Sequence, residues 1–330
     1  MMRGSLGHAA RCAMGTGALA VVLGLSGCSL NPFSFITVPA LSEVSQESVQ
    51  QTVDDSALVA PGTLTVALNE SDAPQAMQAS DGTLTGYAVD TARALAARMG
   101  LKVTFVGASS ADASLPDGKA DIYIGDISKA GSDIENLGDC LYDAPAVFGK
   151  ADSASSGVST DALTSSTLGV QASSASQEAL AKAGITANLK TYSNINECFD
   201  GLVAGEVDYV VCDSTAGGYL ARLDSKVAFA GTLQTPTSNG VACLASNSAL
   251  AQAVTEALSN ITADGTLDAV HSVWYGTMPF DLAGSPVSGA GVESSSTSTA
   301  SSSASSASSA DGGSSQAAAI TDDDINKLAD

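Results

Sequence analysis

Thr63-Leu64-Thr65-Val66-Ala67-Leu68 reads as a β-strand, its apolar run broken only by threonines, which strands accept. Asp81-Gly82 marks a turn. Tyr87 to Met99 then reads as a helix, with Val89, Ala92, Leu95, Ala96 and Met99 at helical spacing and Gly100 just past its end. Val103-Thr104-Phe105-Val106 is the next strand. Ala120-Asp121-Ile122-Tyr123-Ile124-Gly125 is another, close to continuously apolar, as a sheet covered on both faces requires. Strands alternating with helices predict an α/β fold with parallel-rich sheets and right-handed crossovers.

Beyond Lys150 a second series begins. A helix start around Thr160-Asp161 precedes a strand at Thr167-Leu168-Gly169-Val170, a helix from Ser176 through Lys182 and a strand from Asn188 to Tyr192. Ile195 to Ala204 reads as a helix, Asp208 to Cys212 as a strand and Thr215 to Leu223 as a helix. Val227 to Ala230 and Val241 to Ala245 are extended. The last long helix starts near Ser248, with Leu250, Val254 and Leu258 four residues apart. Two such series, separated around Val147–Lys150, predict two α/β lobes. The end differs: 13 of the 22 residues from Ser294 to Ser315 are serine, which leaves nothing to bury and predicts disorder.

The chain's 35 acidic residues against 13 basic ones give a formal charge of -22. Phosphate backbones would repel it, which excludes nucleic acid as a partner. Anionic lipid would repel it too unless something other than charge held it there. Residues 1–27 read as a targeting segment: Arg3, His8 and Arg11 form a weakly basic start, and Ala13 to Leu25 is apolar but too short to span a bilayer. The segment ends in Leu25-Ser26-Gly27-Cys28, which resembles the bacterial lipoprotein signal. That resemblance implies cleavage before Cys28, lipid on Cys28, and an address on the outer face of the cell membrane. A soluble secreted form and an uncleaved anchor are the alternatives. Residues 28–60 are polar and read as a tether. Nothing later is apolar for 18 residues, so no channel or permease is expected.

Cys140, Cys198, Cys212 and Cys243 are an even set in an exported domain, which permits two disulfides in three connectivities. No Cys-x-x-Cys pair is present, and after signal removal His271 is the one histidine left, inside a helical pattern. The sequence offers no Ser/His triad pattern, no His-Glu-x-x-His and no phosphate-binding loop. An enzyme is therefore not expected, nor a metal or other cofactor.

From about Pro61 to Gly276 these pieces together resemble the bacterial extracellular solute-binding proteins of family 3, which serve amino-acid importers of the ABC type. The matching residues are Gly62-Thr63-Leu64-Thr65-Val66-Ala67, Leu84-Thr85-Gly86-Tyr87-Ala88-Val89-Asp90, the two turns Asp117-Gly118-Lys119-Ala120-Asp121 and Ala204-Gly205-Glu206-Val207-Asp208, Gly169-Val170-Gln171, Ala263-Asp264-Gly265-Thr266-Leu267-Asp268 and Val273-Trp274-Tyr275-Gly276. The resemblance implies a two-lobed, periplasmic-binding-protein-like fold of type II, joined by two crossing strands, with solute held between the lobes. Residues 61–148 and 240–277 would form the first lobe and residues 149–239 the second, with 278–330 a disordered tail. It also places Cys140 near Cys243 at the crossing strands, while Cys198 at a helix start and Cys212 at a neighbouring strand end are expected to pair.

The expected pocket departs from the family. Members that bind α-amino acids carry an arginine that grips the carboxylate, and here the matching position falls on Asp133, with no arginine between Arg98 and Arg222. Lys129 either compensates or is a solvated surface lysine. Where the family has an aromatic–Pro–Pro–aromatic loop, this chain has Asp72-Ala73-Pro74-Gln75. Asp213 matches the aspartate that receives the ammonium group, or else caps a helix. Ser173 and Ser174 fall where hydroxyls face the carboxylate, with Ser174 equally placed to cap. Asn69, Asp72, Asp126 and Ser128 complete the expected polar lining. The expected function is that of a monomeric substrate-binding lipoprotein of an ABC importer, which holds a small polar, amine-bearing solute and presents it to a membrane permease. The rival readings are a sensory or structural lipoprotein that keeps the fold without amino-acid binding, and a cell-wall-active enzyme.

Overall fold

The computed structural model describes residues 50–79, 81–154 and 157–291. Cys28, the targeting segment and the serine-rich stretch lie outside the described residues. In lobe 1, β1 (Thr63–Leu68) runs between and parallel to β4 (Lys102–Gly107) and β5 (Ile122–Asp126). The sheet continues through β12 (Thr237–Leu244), antiparallel to β5, to β6 (Ile134–Asp143), antiparallel to β12. A small hairpin pairs β2 (Met77–Gln78) with β3 (Leu84–Thr85) ahead of α1 (Tyr87–Arg98). The helices α7 (Ser248–Ala263) and α8 (Thr266–Tyr275) complete the lobe. The strand period of two decides the faces. Leu64, Val66 and Leu68 join the core with Leu95, Val254 and Val270, whereas Ala67 and Tyr123 pack the opposite face with Leu115.

Lobe 2 repeats the plan. Its sheet orders β11 (Val227–Thr232), β7 (Pro145–Lys150), β10 (Tyr209–Asp213), β8 (Thr167–Gln171) and β9 (Asn188–Tyr192). The last three are mutually parallel; β7 is antiparallel to both β10 and β11. The short helices α2 (Ala151–Ala154) and α3 (Thr160–Thr164) follow β7, α4 (Ser176–Lys182) and α5 (Ile195–Ala204) flank β9, and α6 (Ser214–Ala221) follows β10. Each sheet is thus mixed, with three parallel strands and an antiparallel share at the side where the chain crosses.

The two Gly-x-x-Asp turns recognised in the sequence do the same physical work in each lobe. Asp121 N–H donates to the Thr65 carbonyl at 2.8 Å while Thr65 N–H donates to Asp121 Oδ2 at 2.6 Å. Asp208 N–H donates to the Thr167 carbonyl at 2.8 Å while Thr167 N–H donates to Asp208 Oδ2 at 2.8 Å. Each aspartate thereby aligns the start of its own strand with its neighbour.

Several boundaries differ from the expectation. Residues 145–148 belong to lobe 2, because β7 pairs there along its whole length. The crossings are therefore Asp143–Pro145 and the stretch from Thr232 to Thr237, held side by side by Leu233 N–H donating to the Pro145 carbonyl at 2.8 Å. β6 escaped the pattern reading because glycine and acidic residues interrupt it and its register shifts twice against β12. The expected tether ends earlier than residue 60: Val53 and Leu58 are buried, and Thr52 N–H donates to the Met99 carbonyl at 3.1 Å. The expected tail starts later than residue 278, since Met278, Leu282 and Val287 are buried.

The four cysteines of the described residues are buried free thiols. The Cys140–Cys243 pairing fails on register. Cys243 lies opposite Glu135, five residues along β6 from Cys140, and at about 3.4 Å per residue that is far beyond the roughly 7 Å limit for a bridge. Burial, then Asp213 and Cys198 nearby, push the Cys212 thiol well up, so Cys198 and Cys212 are neighbours, but they are not bonded.

His271 is 3% exposed among the rings of Tyr87, Tyr275 and Phe280, and its Nε2 has no hydrogen-bond partner. Burial pushes its pKa down to about 4. An unfolded histidine takes up a proton below about pH 6.5, so stability is lost as pH falls from there towards 4. His271→Phe keeps a ring in place and removes that loss. Unfolding free energies from denaturant titrations at pH 7 and pH 4.5 should differ by about 2–3 kcal/mol less in the variant; equal losses would show that His271 is not the group responsible.

Candidate functional site

The expected site residues sit where parallel α/β sheets place them, beyond the C-terminal ends of strands. Asn69 and Asp72 follow β1, Asp126 ends β5, Ser173 and Ser174 follow β8, and Asp213 ends β10. A cavity of about 260 Å³ opens there, lined on the lobe 1 side by Asn69, Asp72, Gln75, Tyr123, Asp126 and Lys129, and by Asn239 from β12. A larger open groove of about 640 Å³ lies between α2–α3 and residues 277–288, but no titratable side chain lines it.

The loop carrying Asp72 and Gln75 is fixed from two sides. Tyr87 N–H donates to the Pro74 carbonyl at 3.1 Å and Ala88 N–H to the Gln75 carbonyl at 3.0 Å, which satisfies the first amides of α1 with loop oxygens. Gln75 Nε2 donates to Tyr275 Oη at 2.9 Å. Tyr87 Oη donates to the Cys140 carbonyl on the crossing strand. Asp90, which closes the Gly-aromatic-x-Val-Asp sequence, accepts from Trp274 Nε1 at 2.9 Å and pairs with Arg93 at 2.8 Å, so α1 and α8 are locked together beneath the site.

Charge is unevenly shared. Asp213 is the N-cap residue of α6 yet makes no side-chain cap. Asp143, at the end of β6, does that work instead: its Oδ1 accepts from Ser214 Oγ at 2.6 Å and from Thr215 N–H at 3.2 Å. Desolvation within the cleft, then the charges of Asp143 and Asp72, hold the Asp213 pKa above the ordinary carboxylate range. Asp72 is raised by the same desolvation and by Asp143. Asp126 is lowered by hydrogen bonds from Ser128, whose N–H donates to its Oδ1 at 2.9 Å, with Lys129 adding to the effect. Among the described residues no three histidine, cysteine or acidic side chains converge to hold a metal ion.

The remaining expectations divide. Asn69, Asp72, Asp126 and Lys129 line the cavity. Ser128 is outside the lining and serves Asp126. Asp133 is exposed at the entry to β6, where its carbonyl accepts from Ala245 N–H at 2.9 Å, and it does not line the cavity. Ser173 has a left-handed backbone, φ 58°, and Ser174 Oγ donates to the Gln171 carbonyl at 2.8 Å, which is a turn and not a cap of α4. Neither serine nor Asp213 lines the lobe 1 cavity. Pattern reading missed Asp143, Asn239 and Tyr123. Asp143-Ala144-Pro145 carried a usable signal, because a proline so close to a polar run marks a strand break. Tyr123 was hidden in a core-like strand; its ring lies over Gly125, where a Cβ would come within 2.8 Å of its Oη.

A sequence profile described as bacterial extracellular solute-binding proteins, family 3, matches residues 64–132, from β1 to the loop before β6. The L-cystine-binding protein TcyJ of Escherichia coli K12 is 25% identical over 248 residues, covering 72% of this chain and 93% of that protein. Over residues 64–132 the chain is similar to family 3. Solved structures extend the likeness through both lobes. An ancestral cationic amino acid solute-binding protein, AncCDT-1, is 26% identical with a TM-score of 0.54, over 65% of this chain and 96% of its own. The L-cystine solute receptor of Neisseria gonorrhoeae, in its unliganded open conformation, shares the fold at 20% identity and TM-score 0.54, over 65% of this chain and 93% of its own. No helix among the described residues is long and apolar enough to cross a membrane.

Proposed function

We propose that this chain is the substrate-binding component of an ABC importer, held at the outer face of the cell membrane by lipid on Cys28, acting as a monomer on a small amine-bearing solute of the amino-acid class. The observation that carries the ligand class is the uncapped Asp213 carboxylate beside Asp143 and across from Asp72. Three carboxylates drawn together leave a site whose charge a cation relieves. Lys129 and the backbone around it offer the one positive contact to a carboxylate on the lobe 1 side. A zwitterion with added positive charge, or a neutral one such as cystine, suits this arrangement; glutamate and aspartate do not. The L-cystine and cationic amino acid relatives support the same class.

Thermal-shift measurements with lysine, arginine, ornithine, cystine, glutamine, glutamate and aspartate test the reading. Stabilisation is expected from members of the first five and none from the last two. No shift with any amine-bearing solute, or the largest shift with glutamate, would overturn it.

A further inference from the structure

The two strand crossings are not the only covalent path between the lobes. After α8 ends at Tyr275 the chain leaves lobe 1. Met278 is seated on α6 of lobe 2, so close that a Cβ on Gly218 would come within 2.9 Å of its sulfur. Phe280 packs edge-on against Tyr142 of β6, centroids 5.9 Å apart, and against His271 of α8 at 5.3 Å. Leu282 is fully buried. The chain then fastens to lobe 2. Thr232 N–H donates to the Ser285 carbonyl at 2.9 Å, Val287 N–H to the Thr232 carbonyl at 2.8 Å, Ser288 N–H to the Val158 carbonyl at 3.0 Å, and Thr160 N–H to the Ser288 carbonyl at 2.9 Å. The Val287 side chain enters the lobe 2 core with Val147, Leu163 and Leu233. Gly231, φ 145°, leaves room for this: a Cβ there would stand 3.1 Å from the Ser285 oxygen and from Val287 Cγ2.

We infer that residues 277–288 are a third link between the lobes, a strap that limits how far the cleft opens. The two crossings run side by side and act as one hinge, about which a lobe can swing. The strap grips lobe 2 at separate points, on the edge of β11 and at the start of α3, which a swing carries away from α8. Its slack is small. Ser285 N–H donates to the Leu282 carbonyl at 3.1 Å and Ala283 N–H to Asp281 Oδ1 at 2.9 Å, so the span holds one compact turn. Opening can straighten that turn. Beyond it, Val287 and four backbone hydrogen bonds must leave lobe 2, which opposes further opening.

Distances between spin labels test the strap without any solute. Labels at Glu256 on α7 and Gln177 on α4, both exposed, report the lobe separation in the solute-free protein. A protease site inserted after Gly284, which is exposed with open space around it, allows the folded protein to be cut there. A second variant carries a long Gly/Ser insertion at the same point, which keeps the chain whole and adds slack. Both cutting and lengthening should broaden the distance distribution towards longer separations, with an unchanged far-ultraviolet circular dichroism spectrum. A distribution that stays the same as the parent's in the cut protein and in the lengthened one would overturn the inference. Should the insertion variant fail to fold, the cut, made after folding, decides alone.

Discussion

Asp213→Ala is expected to weaken binding of a cationic or neutral amine-bearing amino acid by on the order of 100-fold, about 2.7 kcal/mol, with little loss of stability. Most aspartates that begin a helix are spent on its first amides, and removing one costs the fold. Here Asp143 reaches across from β6 to accept from Ser214 Oγ and Thr215 N–H, so the α6 start stays satisfied without Asp213. What Asp213 contributes to the solute-free protein is a desolvated charge under repulsion: burial, then Asp143 and Asp72, raise its pKa. The variant should therefore unfold at the same denaturant concentration as the parent or a higher one, while calorimetry with lysine, arginine or cystine shows the affinity lost. The sign of the pH dependence follows. An ammonium in the cleft favours the ionised carboxylates, so affinity in the parent falls as pH drops through the raised carboxylate range, and the variant loses part of that slope. Affinity within about twofold of the parent's would place the ammonium site elsewhere.

How much of this was legible in the sequence depends on which physical signal each element carries. β1, α1 and β5 announce themselves because both faces are covered and their periods are clean. The Asp121 and Asp208 turns were visible as a repeated motif, and the structure shows one clamp used twice. β6 was not visible, because a crossing strand is partly exposed, bulged and glycine-bearing, and that obscurity hid Asp143 with it. Asp133, which the structure leaves outside the cavity lining, was assigned by counting alone, because a turn of uncertain length before an unrecognised strand gives no register. The boundary errors at residues 53–60 and 278–288 share another cause. Val53, Leu58, Leu282 and Val287 are isolated apolar residues in polar surroundings, and no period reveals that each inserts into a finished core.

Gly86→Ala should cost about 2–4 kcal/mol and unseat the cleft loop as well. Gly86 has φ 145°, where a side chain is strained, and a Cβ there would stand 2.1 Å from the Gln75 carbonyl oxygen and 2.8 Å from the Ala76 Cα. Both obstacles are backbone, so no rotamer change relieves them. The loop is pressed that close because its carbonyls serve the first amides of α1, at Tyr87 and Ala88. Pushing it away breaks those bonds, pulls Gln75 from Tyr275 and displaces Asp72 from the cavity. Gly82→Ala is the control. Gly82 also has a left-handed backbone, φ 83°, but a Cβ there meets nothing within 4 Å, so it should cost only about 1 kcal/mol and leave the cleft intact. Urea denaturation of the two variants separates close approach from backbone handedness, and solute titration shows whether the loop has moved. Equal losses of stability in the two, with unaltered binding in Gly86→Ala, would mean that the loop does not depend on the bare backbone at Gly86 for its place in the cleft.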